Sequence, residues 1–223
     1  MARQAYQEQL LKLNGELIEM GDLCEEAMSL VMKALREKDE QIADSVHKIE
    51  RKIDQKERDI EAMCMNLLLR QQPVSGDLRS ISSALRMIAD MERIGDQTSD
   101  IAEIIISAKY ENVAQNIDLI GAMATGVSTM VRDSVVAYVE KDLELARKVM
   151  ASDDKIDAYF DEIRDKMIAY IKAEHGEQGN RIFDLIMVTK YLERIGDHAT
   201  NIAEWVEFSI TGVHKDSAAL HES

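Results

Sequence analysis

Glu92, Asp96 and Asp100 follow one another at four-residue intervals. On a helix they therefore lie along one side, drifting by about 40° per step. Glu103 returns to that side, and Glu193, Asp197, Asn201 and Glu204 repeat the arrangement later in the chain, with asparagine in place of one carboxylate. Glu50 with Asp54, and Asp153 with Asp157, are again four apart. Like charges at this spacing repel by a few tenths of a kcal/mol on an exposed helix, and by more when partly buried, so something must offset them.

Two kinds of offset fit. One is a solvated acidic face balanced by Arg93, Arg194, Lys52, Lys155 and counterions. The other is an oxygen-rich pocket between two adjacent helices, suited to a hard cation or to iron or manganese. Two features favour the pocket: the apolar stripe Leu78, Ile81, Leu85 and Ile88 runs directly into Glu92, and Asp153 interrupts the seam between Val149 and Ile156. Neither carboxylate helix shows the Glu-x-x-His spacing of di-iron bundles, so oxygen-activating catalysis is unsupported. His198, the one histidine expected near the carboxylates, points about 100° away from Asp197 and reads as a packing or surface residue. Gly95 and Gly196 each cost about 1 kcal/mol inside a helix. Their repetition marks a close approach of backbone or ligand, or simple helix crowding.

The elements that must hold these residues are helices. The chain has 223 residues, 46% hydrophobic and 31% charged, with ten glycines and one proline to interrupt it. Thirteen methionines against three phenylalanines and one tryptophan suit helix–helix seams. Glu37-Lys38-Asp39 returns as Glu140-Lys141-Asp142, and Glu92 to Asp96 returns as Glu193 to Asp197, so the second half copies the first. In the first helix Leu10, Leu13, Leu17, Met20, Cys24, Ala27, Val31 and Ala34 step by threes and fours. Val113, Ile117, Ile120, Ala124, Val127 and Val131 keep the same rhythm in its counterpart. The expectation is an all-α fold: two tandem, pseudo-symmetric three-helix bundles made of six long antiparallel helices. Residues 1–111 and 112–211 form the repeats, and 212–223 a polar tail.

A net charge of −15 repels phosphate backbones and anionic membranes, which argues against direct nucleic-acid or lipid binding. The N-terminus shows no export signature, and no apolar run reaches a membrane span, so a cytoplasmic location is expected. Cys24 and Cys64 lack any metal-ligand spacing and read as buried hydrophobes.

The string from Gln72 to Arg79, QPVSGDLR, followed by Met91 to Asp96, MERIGD, and by Leu192 to Glu204, LERIGDHATNIAE, closely resembles the PhoU family across nearly the whole chain. The resemblance implies a two-fold pseudo-symmetric helical regulator that is not an enzyme and has no organic cofactor. Such a protein negatively regulates phosphate uptake by linking a phosphate ABC transporter, through its ATPase, to a sensor histidine kinase. It meets the membrane only through partners and forms a homodimer. It also implies a multinuclear metal site of iron, zinc or manganese. The ligands carried over are Glu50, Asp54, Glu92, Asp96 and Asp100, then Asp153, Asp157, Glu193 and Asp197, with Asn201 as a departure that still offers an oxygen. Arg93, Arg194, Glu103 and Glu204 are expected to face a partner. The alternatives are a metal-binding helical scaffold, or a metal-dependent enzyme whose turnover would depend on Glu92 and Asp96.

Overall fold

The structure, a computed structural model, describes residues 2–71, 73–107, 117–173 and 179–213. There the chain forms six helices: α1 (Ala2–Glu37), α2 (Glu40–Gln71), α3 (Ser75–Ser107), α4 (Ile117–Glu140), α5 (Leu143–Ala173) and α6 (Gly179–Thr211). Helices α1, α2 and α3 pack on one another as one bundle, and α4, α5 and α6 as a second. The bundles join where α3 lies on α6 and α1 on α4. The junction expected at 111–112 and most of the expected tail lie outside the described residues.

The seams read from the sequence are the core. Leu13, Leu17, Met20, Cys24, Ala27, Val31 and Ala34 are buried along α1, with Leu10 at the margin. In α4, Ile120, Ala124, Val127 and Val131 are buried, while Val113 and the side chain of Ile117 lie outside what is described. Both cysteines are buried, and burial pushes each thiol up to about 12, which leaves them inert as nucleophiles.

The repeat persists down to single backbone angles. Lys38 and Lys141 both adopt a left-handed conformation, with φ of 57° and 55°. The following aspartate amides return to Ala34 O at 3.2 Å and to Ala137 O at 2.9 Å, closing the preceding helix. Each aspartate then caps the next helix: Asp39 Oδ1 accepts from the Gln41 amide at 2.8 Å, and Asp142 Oδ1 from the Leu145 amide at 3.0 Å. The Glu-Lys-Asp triplet is thus a two-residue switch between antiparallel helices, with lysine where glycine is the usual choice.

Helix α3 departs from the expected single stripe. It is buried on two faces, because α1 and α2 cover one and α6 the other. At 100° per residue, Ile81, Ile88 and Gly95 lie within about 40° of one another, whereas Leu78 and Asp96 sit about 60° from Ile81 and about 100° from Gly95. Leu78 is accordingly 46% exposed. Glu92, about 20° from Ile81, stays in line with the stripe, whereas Asp96 and Asp100 turn progressively to its side, and all three are half-buried.

Candidate metal centre

The site begins with a missing side chain. A Cβ on Gly95 would stand 3.1 Å from Ile53 Cδ1 and 3.2 Å from its Cγ2, so the glycine is what lets α2 come down onto α3 with Ile53 fully buried between them. Glu50 and Asp54 flank Ile53 on α2, and Asp96 follows Gly95 on α3. The close approach consequently brings the three carboxylates together, each offering an oxygen within 4.8 Å of the others. Among the described residues this is the one acidic, histidine or cysteine group gathered so tightly.

All three are half-buried. Burial first, then the neighbouring charges of Asp54 and Asp96, raises the Glu50 carboxyl above its ordinary range, while Arg51 and His47 pull it back. Glu92, one turn before Asp96, is likewise raised by burial and then by Asp96, with Arg93 opposing. Arg93, an exposed arginine, places Nη1 2.9 Å from Asp96 Oδ2 and Nε 3.4 Å from Glu92 Oε2. An oxygen-only donor set that repels itself fits a hard divalent or trivalent cation, with Glu92 and Glu57 next to the trio on the same ledge.

The second repeat builds the same ledge with a different charge balance. A Cβ on Gly196 would meet Ile156 Cγ2 at 3.3 Å and Asp153 Oδ1 at 3.9 Å. Asp153 is raised by burial and then by Asp157, with the Thr200 hydroxyl pulling the other way. Asp197 is raised by burial, then by Glu193 and Asp153, with Lys190 opposing. Lys190 forms a close ion pair with Glu193 and stands 5.3 Å from the centre of the Phe160 ring. The first repeat has Ala89 at the place of Lys190.

Asp100 and Asn201 belong to the seam between the bundles. Asp100 lies beside Arg194 and the Tyr191 hydroxyl of α6, both of which oppose the rise caused by burial and by Glu103. Asn201 donates from Nδ2 to Asp90 Oδ1 at 3.2 Å, and His198 Nδ1 meets the same oxygen at 2.9 Å. These contacts are related by the internal symmetry, since Asp90 and Tyr191 hold matching places, as do Asp100 and Asn201. Arg194 also lies over the Tyr191 ring at 5.9 Å. Of the residues expected to face a partner, Arg93, Arg194 and Glu103 are exposed and Glu204 is half-buried.

His198 is not the histidine nearest the trio. His47 lies one turn before Glu50, close enough to act on its charge, and its Nδ1 meets Ser99 Oγ at 2.7 Å. The reversed spacing His47-x-x-Glu50 was legible as a shared helix face. Asp90 and Lys190 carried no comparable signal, because each acts on another helix or through an unrepeated residue.

With this geometry in view, comparison with known proteins is direct. A family model described as the PhoU domain matches residues 17–105 and 120–206. The chain is 35% identical over 217 residues to the phosphate-specific transport system accessory protein PhoU homolog of Clostridium acetobutylicum, covering 97% of this chain and 99% of that one. It is 31% identical over 210 residues to the homolog of the same description from Pseudomonas aeruginosa, covering 94% and 86%. The crystal structure of PhoU from Pseudomonas aeruginosa aligns with a TM-score of 0.87 at 31% identity, over 93% of this chain and 100% of that one. That of the phosphate transport system regulatory protein PhoU from Streptococcus pneumoniae gives 0.86 at 26% identity, over 93% and 98%. Both repeats, the Gly–Ile contacts that bring their helices together and the whole-chain likeness lead to one conclusion: the chain belongs to the PhoU family.

Proposed function

We propose that this protein is an accessory regulator of a phosphate-specific transport system that works by binding, not by turnover. When phosphate is plentiful it engages the transporter's ATPase and the sensor histidine kinase at the cytoplasmic side, and holds the phosphate-starvation response off. The observation that carries the reading is the near full-length match to relatives named as transport accessory proteins, in both repeats and in order. The charge pattern supports it, since a net −15 favours protein partners over lipid or nucleic acid. Among the described residues no helix is long and apolar enough to cross a membrane. In this reading the protein acts as a homodimer.

The Glu50–Asp54–Asp96 trio is the proposed metal centre, taking iron, zinc or manganese, with Asp153, Asp157, Glu193 and Asp197 as a second, weaker one. A bound cation would neutralise the trio and tie α2 to α3, setting the shape presented to a partner. The regulatory reading is tested by pull-down of the transporter ATPase and the kinase from phosphate-replete extracts. Capture of both is expected, and capture of neither refutes it. The metal reading is tested by elemental analysis of protein purified without chelator or metal-affinity resin. Stoichiometric metal that disappears in Glu50→Gln/Asp96→Asn supports it, and metal-free wild-type protein counts against it.

A further inference from the structure

Between α1 and α4 runs a cleft of about 440 Å³ that none of the residues of either carboxylate ledge lines. In a chain of net −15 its charge is inverted: Lys33, Arg36 and Arg132 line it against the single carboxylate Glu37. Among the described residues neither Lys33 nor Arg36 has an ion-pair partner, whereas Arg132 holds Asp133 at 3.1 Å and lies near Glu25. Among the described residues these two cations thus have no carboxylate holding their donors.

The floor is shaped for one of them. A Cβ on Gly121 would stand 2.8 Å from Arg36 Nη2, so this helical glycine, which costs about 1 kcal/mol relative to alanine, leaves room for the flexible end of Arg36 to lie against α4. Thr125 and Thr129 donate to the carbonyls of Gly121 and Thr125 at 2.8 and 2.9 Å, which engages their hydrogens within α4. The donors lining the cleft are then Lys33, Arg36, Arg132 and the hydroxyls of Ser29 and Ser128. A planar guanidinium beside an ammonium and hydroxyls is the donor set of a phosphate site. Met28, Met32 and Ala124 supply a buried apolar wall.

We propose that this cleft binds a phosphate group, with Arg36 and Lys33 as its principal donors. Its size is that of a small-molecule pocket, so the apolar wall favours a phosphorylated metabolite of mononucleotide size over the free anion. This assignment stands on the cleft's own lining and does not depend on the carboxylate ledges holding metal.

The test is isothermal titration of the full chain, in metal-free buffer at low ionic strength, with inorganic phosphate and separately with AMP. Saturable binding is expected, weakened by about tenfold or more, or about 1.4 kcal/mol, in Lys33→Gln/Arg36→Gln. The glutamine changes fall on exposed positions, and a thermal melt by circular dichroism confirms that each variant is folded. AMP binding tighter than phosphate identifies a phosphorylated metabolite, and equal binding identifies the free anion. Absence of saturable binding of both probes to the wild type, or unchanged binding in the Lys33/Arg36 variant, overturns the proposal. The Glu50→Gln/Asp96→Asn protein must bind as the wild type does, and a matching loss there also overturns the assignment to this cleft.

Discussion

The two repeats share a backbone down to the left-handed lysines, yet they treat the same carboxylates differently. In the first, Glu50, Asp54 and Asp96 converge, with Arg93 pairing Asp96 and with Arg51 and His47 acting on Glu50. In the second, Lys190 closes on Glu193 and weighs on Asp157 and Asp197 as well. One lysine in place of Ala89 thus supplies, from within the chain, a positive charge that the first repeat lacks at that place, which is where the proposed cation would act. The difference teaches that a duplicated motif can keep its geometry while its electrostatic need diverges.

The comparison is tested most strongly through the core beneath each ledge. Ile53→Ala and Ile156→Ala should each cost about 2–5 kcal/mol in denaturant unfolding, since each side chain is buried between two helices. Equal losses would place the difference between the repeats in the ledges alone. Next comes metal. Manganese at about a hundred times its dissociation constant should stabilise the protein by about 2.7 kcal/mol, seen as a rise in melting temperature. Glu50→Gln/Asp96→Asn should abolish the rise, and Asp153→Asn/Asp197→Asn should leave most of it. An equal loss in both variants would mean that the two ledges bind metal alike.

Smaller effects sharpen it further. Gly95→Ala forces a methyl against two atoms of a buried isoleucine. Overpacking of about 1–3 kcal/mol should exceed the gain in helix propensity, whereas Gly196→Ala, with one looser contact, should be close to neutral. Lys190→Ala should cost under about 1 kcal/mol, as befits a half-exposed pair, while raising manganese uptake at the second ledge. Ala89→Lys should do the reverse at the first.

The pH response has a definite sign. Glu50, Glu92, Asp153 and Asp197 are raised in the folded protein by burial first. Folded protein therefore binds protons where the unfolded chain has released them, and this contribution to stability is present at low pH and lost as pH rises through the raised values. Metal-free protein should gain stability from pH 7 down toward the ordinary carboxylate range, about 4. Glu50→Gln should flatten that gain in a melting series, and added manganese should reverse it.

Much of this was legible before any coordinates. Helix count, the repeat, the buried seams and the paired carboxylates follow from spacing, because a helix places residues three and four apart on one face whatever surrounds it. The Glu-Lys-Asp triplet announced the repeat, and the fold makes each copy a matching turn. What spacing could not supply is what stands opposite. A helical stripe records the angle of each side chain about its own axis but not the axis against which it packs, so Glu92, Asp96 and Asp100 read as one row. The fold divides that row, because α3 is covered on two faces: Asp96 meets α2, whereas Asp100 meets Tyr191 and Arg194 of α6. In the same way Asn201 found Asp90, His47 joined Glu50, and Arg36 came to rest on Gly121. Local periodicity determined the elements and their faces; the crossing of helices distant in sequence decided which charges meet.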